Sequence, residues 1–187
     1  MRHELQNHLF VLQSLAQLND MEAIRSYLAP MCQEHSLQKE EAVDTGNLIA
    51  NAVLNQKIAQ AKSEHIVMTA EGHLPSTLSI ENQEFCSLLS NLLNNALEAC
   101  RQTTDPRIEV RIAQKKNYLC IWVKNTVLHD VLKENPALNT TKPDAEHHGI
   151  GMRIIQSITR KYDGLLDFRM EDQMFVAEVF LKLTSRQ

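Results

Sequence analysis

Residues 84–100 read EFCSLLSNLLNNALEAC, and the fold turns on them. Placed on a wheel at about 100° per residue, Phe85, Leu88, Leu89, Leu92, Leu93 and Ala96 form one broad apolar face. Glu84, Ser87, Asn91, Asn95 and Glu98 gather on the other. The spacing predicts a long helix over 80–101. Asparagine is a poor helix former because its side chain competes for backbone hydrogen bonds, so Asn91, Asn94 and Asn95 cost stability unless something uses them. One reading is a solvated polar face. The other is that Asn91, Asn95 and Glu98, at i, i+4 and i+7, present oxygens to a hydrated Mg²⁺ carrying phosphates. That ion prefers oxygen ligands and keeps much of its water.

Downstream, RIEVRIAQ (107–114) and NYLCIWVKN (117–125) have the length and the β-branched and aromatic content of strands, joined by a Lys-Lys-Asn turn. A polar segment over 128–148, with two prolines and little periodicity, reads as a mobile loop. GIGMRIIQSITRKYDG (149–164) is predicted as a helix with glycines at its start and just past its end. The strands LLDFRM (165–170) and MFVAEVFLKL (174–183) follow. Gly149 and Gly151 sit where loop turns into helix, so backbone N–H groups and the positive end of the helix dipole can meet phosphate with no Cβ in the way. A G-x-G alone is compatible with a tight turn. After an amide-rich helix, and with Thr140, Thr141 and Lys142 on the intervening loop, it points to a phosphate site.

Upstream, a third helix is expected over 47–61, and HIVMTAEG (65–72) reads as a strand. Nearer the start, Leu5, Leu9, Leu12 and Ala16 recur at spacings of four and three, with Val11, Leu15 and Leu18 as a second stripe. LND (18–20) interrupts the pattern, Asp20 is a candidate N-cap, and Ile24, Leu28 and Met31 carry the spacing into a second helix ending near His35. Two short helices cannot bury such stripes alone, so the hairpin is expected to form half of a dimeric four-helix bundle. The fold class is α+β. An N-terminal helical hairpin occupies residues 1–40, and a two-layer α/β sandwich, with helices on one face of a mixed sheet, occupies 41–187.

A hydrophobic content of 43%, a charged content of 22% and a net charge of −4 are ordinary for a globular protein. They offer no general attraction for nucleic acid or anionic membrane, so no direct nucleic-acid partner is expected. Cys32, Cys86, Cys100 and Cys120 form no C-x-x-C pair and have no histidines at zinc-ligand spacing. They read as reduced, mostly buried thiols of a cytoplasmic protein. No run approaches the ~20 apolar residues of a membrane span, and no signal peptide opens the chain.

Three motifs, taken together, resemble a known family. NLLNNALEAC (91–100) resembles the asparagine-rich motif, and HHGIGM (147–152) the second glycine motif, of the Bergerat-type (GHKL) ATPases shared by gyrase, heat-shock chaperones, mismatch-repair proteins and histidine kinases. RHELQNHL (2–9) resembles the phosphoacceptor motif of sensor histidine kinases. With TGNLIANAVLNQKIAQA (45–61) and with TTK (140–142) ahead of HHGIGM, the wider pattern is similar to the subfamily that senses peptide pheromones and signals to response regulators with LytTR-type DNA-binding domains.

The resemblance implies a homodimeric, autophosphorylating kinase that uses ATP and Mg²⁺ and passes its phosphoryl group to a response regulator. His3 is then the acceptor of the γ-phosphoryl group, and both it and Asn7 lie on the side of the helix away from the Leu5/Leu9/Leu12 stripe. Glu4 fixes the tautomer of His3. Asn7 falls where related kinases carry a Thr or Asn that positions water for dephosphorylating the partner, while His8, closer to the stripe, reads as structural. Asn95 is the expected Mg²⁺ ligand, with Asn91 and Glu98 beside it. In hydrolysing relatives the position of Asn91 carries a glutamate that activates water; an amide cannot take that proton, so ATP is preserved for transfer. Thr141, Lys142, Gly149 and Gly151 hold phosphates, with 128–148 as a lid.

One departure is WVKNTV (122–127), which carries Asn125 and no glycine where most of the superfamily has an Asp-x-Gly-x-Gly motif reading the adenine amino group. A carboxamide oxygen can accept the same hydrogen bond. Because His3 lies so near the start, the expectation is a fragment whose sensor and membrane anchor lie upstream. Two alternatives remain in the sequence: an ATP-independent relay phosphotransferase of the same architecture, and a serine kinase or binding module resembling the anti-sigma-factor kinases.

Overall fold

The structure, a computed structural model, describes residues 2–31, 42–135 and 150–184, without the side chains of Arg2 and His3. The chain divides into two compact units, Met1–Gln38 and Lys39–Gln187.

In the first unit α1 (Arg2–Gln17) and α2 (Met21–Leu28) form a helical hairpin. Asp20 caps α2 as its position suggests, its side chain accepting the Ala23 N–H at 2.9 Å. The second helix is shorter than its spacing implied. Pro30 has no N–H to extend the ladder, and the Met31 N–H turns back to Leu28 O at 2.9 Å. His8 is half-buried, its Nδ1 2.9 Å from the Tyr27 hydroxyl, which is the structural role its place near the stripe indicated. No described side chain of this unit is buried, and Leu5, Leu9 and Phe10 stay 60%, 56% and 69% exposed. The hairpin cannot cover its own apolar stripe.

The second unit runs α3 (Leu48–Ser63), β1 (Val67–His73), α4 (Asn82–Cys100), β2 (Arg107–Lys115), β3 (Tyr118–Thr126), α5 (Val131–Glu134), α6 (Ile150–Lys161), β4 (Leu165–Glu171) and β5 (Met174–Lys182). The five strands form one mixed sheet in the order β1-β2-β3-β5-β4. Only the β1/β2 pair is parallel. Alternation along the strands sends Ile108, Val110, Ile112, Leu119, Ile121, Val123, Val179 and Leu181 to one face, where all are buried. Against it lies the apolar side of α4: Phe85, Leu88, Leu89, Leu92, Leu93, Ala96 and Leu97 are all buried. Each leucine so placed stabilises the fold by about 1.5–3 kcal/mol relative to exposure. The α+β, two-layer reading of the sequence holds.

Local chemistry sets the remaining boundaries. Asn47 caps α3, its oxygen accepting the Ile49 and Ala50 N–H groups, while its nitrogen donates to Pro75 O and Ser76 O. After α6 the left-handed residue is Asp163 at φ 44°; Gly164 follows because a Cβ there would stand 2.3 Å from Phe180 O. Asp172 and Gln173, both at positive φ, turn β4 into β5. The segment after β3, expected to be loop throughout, contains the short helix α5, because the Asp130 side chain accepts the Lys133 N–H at 3.1 Å.

Cys32 lies outside the described residues, and of the other three cysteines one departs from expectation. Cys100 is buried and Cys120 half-buried, but Cys86, on the outer side of α4, is exposed; all three are free thiols.

Candidate functional site

With its apolar side committed to the sheet, α4 turns its amides outward. Asn91 is half-buried, and its Nδ2 donates to Ser87 O one turn back at 2.7 Å, which leaves Oδ1 facing out. Helix α6 packs alongside α4. In the first turn of α6, a Cβ on Gly151 would stand 2.8 Å from Asn91 Oδ1 and 3.7 Å from Asn95 Oδ1. The helix start and the two amides meet only because position 151 has no side chain. The positive end of the α6 dipole is thereby brought beside a row of neutral oxygens, with half-buried Glu98 one turn on.

The far end of α6 fixes its register. The Lys161 Nζ lies 2.8 Å from Glu84 Oε1 and 3.0 Å from Glu81 Oε1. The Tyr162 hydroxyl donates to Glu84 Oε2 at 2.6 Å and accepts the Glu81 N–H at 3.1 Å. The Lys161 and then the Tyr162 hydrogen bond hold the Glu84 carboxyl below its ordinary range. A second clamp ties the end of α4 to the end of α3. Arg101 grips Glu64 bidentately, both contacts at 2.8 Å, and chiefly through that hydrogen bonding lowers the Glu64 pKa to about 2.

Beside the amide row lies a cleft of about 430 Å³ between Asn95, Glu98 and Gln102 on one side and Val127, His129 and Glu134 on the other. The His129 Nε2 lies 3.0 Å from Glu134 Oε2, which braces α5 as the cleft's outer wall. Two residues before Val127 is Asn125, only 3% exposed, whose Nδ2 donates to Thr126 O at 2.9 Å. The Thr126 hydroxyl accepts the Arg107 N–H at 3.1 Å and lies 3.3 Å from both Cys100 Sγ and Thr103 Oγ1.

Of the residues picked out in the sequence, Asn91, Asn95, Glu98 and Gly151 are thus brought together, and Asn125 sits at the end of β3 against the end of α4. Glu4 and Asn7 are exposed on α1. Thr141, Lys142, Gly149 and the His3 side chain lie outside the described residues. The sequence reading missed Thr126, the Lys161/Tyr162 clamp and α5. Only α5 left a usable signal, an Asp three residues ahead of a helical Lys.

The donor set suits Mg²⁺ that arrives with phosphate. Asn91 and Asn95 offer neutral oxygens across a cradle that a Cβ at 151 would fill, and Glu98 adds a carboxylate. Among the described residues no group of three His, Cys, Asp or Glu side chains could hold a metal alone. An ion held here would draw further ligands from phosphate and water.

The profile of the GHKL domain family matches residues 80–182. No curated protein shows significant sequence similarity to the chain. Among solved structures, the catalytic domain of the histidine kinase ThkA aligns with a TM-score of 0.57 at 14% identity, covering 73% of this chain and 94% of that one. The histidine kinase domain of the blue-light activated kinase EL346 from Erythrobacter litoralis aligns with a TM-score of 0.53 at 15% identity, covering 97% and 93%. Full-length ShkA in complex with AMPPNP gives 0.61 at 13% identity, covering 78% of this chain and 31% of that one. At such identities the likeness is one of fold.

Proposed function

The chain belongs to the GHKL domain family, and on that premise we propose that it is the kinase core of a two-component sensor histidine kinase. Residues 1–40 are the dimerisation and phosphoacceptor hairpin, and 41–187 the ATP-binding domain. The observation that supports this is the seating of Gly151 against the Asn91 and Asn95 oxygens, which sets the start of α6 beside the amide row.

The reaction is phosphoryl transfer from ATP to an unprotonated ring nitrogen of His3. A P–N bond forms as the bond between the γ-phosphorus and the bridging oxygen breaks, and ADP leaves with the electron pair. The protein's work is positioning and charge neutralisation. Asn95 would hold Mg²⁺, with Asn91 and Glu98 beside it; the ion supplies neutralisation of phosphate charge. The α6 start with Gly151, together with Thr141, Lys142 and Gly149, holds the phosphates, and Asn125 accepts from the adenine amino group. Asn91 has no carboxylate to deprotonate water, which favours transfer over hydrolysis. On α1, Glu4 orients His3 and Asn7 stands ready to position water. The phosphoryl group then passes to an aspartate of a response regulator, with a LytTR-type DNA-binding domain in keeping with the pheromone-sensor resemblance. In keeping with the same resemblance, the kinase core works on the cytoplasmic side of a membrane-anchored sensor.

Calorimetric titration with ATP tests the site. Binding is expected to strengthen with Mg²⁺ in the native chain and to lose that dependence in Asn95→Ala. Equal affinity with and without Mg²⁺, unchanged by the substitution, contradicts the assignment.

A further inference from the structure

The end of β3 contains a hydrogen-bonded knot that the catalytic reading leaves unused. Resting on the nucleotide reading above, we infer that Thr126 locks the Asn125 carboxamide in one orientation, so that Asn125 selects a purine bearing an amino donor and aspartate cannot replace it.

Thr126 O is a carbonyl with no hydrogen to give. The group facing it at 2.9 Å must therefore be the Asn125 NH₂, and the oxygen is the atom left to accept from a ligand. Thr126 itself is held from β2, from the end of α4 and from the turn that follows α4. Its hydroxyl accepts the N–H of Arg107, at the start of β2. The Thr103 hydroxyl already donates to Cys100 O at 2.8 Å, so the Thr126 proton goes to Thr103 Oγ1 or Cys100 Sγ. The Cys100 thiol in turn reaches Arg107 O at 3.4 Å and Thr126 O at 3.6 Å.

Turning the amide over would set oxygen against oxygen at a buried position and strip the NH₂ of its acceptor. The neighbours across the sheet, Ile108 and Phe175, are apolar and offer no replacement. An aspartate meets the same obstacle, because one carboxylate oxygen must face Thr126 O. Only the protonated acid, isosteric with the amide, can donate there. Burial favours that neutral form, so the variant becomes competent as pH falls. Of the titratable groups packed here, Cys100 has its thiol pushed up by burial and stays neutral. Glu98 and His129 line the neighbouring cleft and are common to variant and native chain.

The test measures Mg·ATP and Mg·purine riboside triphosphate, which lacks the 6-amino group, against the native chain, Asn125→Asp, Thr126→Val and Thr126→Ser. Relative to the native chain at the same pH, Asn125→Asp should bind Mg·ATP about tenfold or more weakly near pH 7.5 and recover near pH 5.5. Thr126→Val keeps the carbonyl but frees it from the hydroxyl's hold on Arg107, Thr103 and Cys100, and should weaken discrimination between the two nucleotides, whereas Thr126→Ser should keep it. Melting without nucleotide should show the same acid recovery of Asn125→Asp. Native affinity of Asn125→Asp near pH 7.5, or a loss that acid does not restore, overturns the inference. If the native chain binds neither nucleotide while the melting recovery is seen, the lock stands and the nucleotide reading alone falls, taking the selection role with it.

Discussion

Gly151 is the residue at which two separate parts of the sequence meet. In Gly151→Ala the new Cβ would lie 2.8 Å from Asn91 Oδ1, and the amide can retreat only by giving up its bond to Ser87 O. The expected cost in stability is about 1 kcal/mol, with Mg·ATP affinity falling by about tenfold as the oxygens move off the helix start. Denaturant unfolding and calorimetry measure the two effects. The contact was half legible in the sequence. Amides at i and i+4 on a helix, and a glycine at a helix start, each suggested a phosphate site, but that they touch follows from α6 packing beside α4, which no local pattern encodes. Thr126 was not legible at all, because its importance lies in a carbonyl positioned through its hydroxyl, which is held by partners on β2 and α4.

Among the elements, periodicity gave α4 and the five strands, since alternation and 3.6-residue spacing are written residue by residue. What fastens the helices to one another is side-chain chemistry between distant positions. Glu64 titrates near pH 2 when gripped by Arg101, below its ordinary 4.5. Its ionised form therefore stabilises the fold above about pH 4.5, and the contribution is lost as pH falls toward 2. With the Arg101 side chain 52% exposed, solvent limits the gain to about 1 kcal/mol. Urea unfolding across this range should show a shallower acid decline in Glu64→Gln. At the other clamp, Tyr162→Phe removes the bonds to Glu84 and to the Glu81 N–H, so hydrogen exchange should quicken at the end of α6.

At the scale of the molecule, no helix among the described residues is long and apolar enough to cross a membrane. The first unit leaves Leu5, Leu9 and Phe10 uncovered, while the second buries a full core of its own. A second hairpin would cover that stripe, as the proposed four-helix bundle requires. Leu5→Glu with Leu9→Glu should shift the chain toward monomer in sedimentation equilibrium, without changing the affinity for Mg·ATP. The most direct measurement is incubation with Mg²⁺ and γ-labelled ATP, followed by acid and base treatment of the protein. The account predicts acid-labile, base-stable label on the native chain and none on His3→Gln or Asn95→Ala. Label persisting on His3→Gln, or none on a native chain that is dimeric and binds ATP, contradicts it.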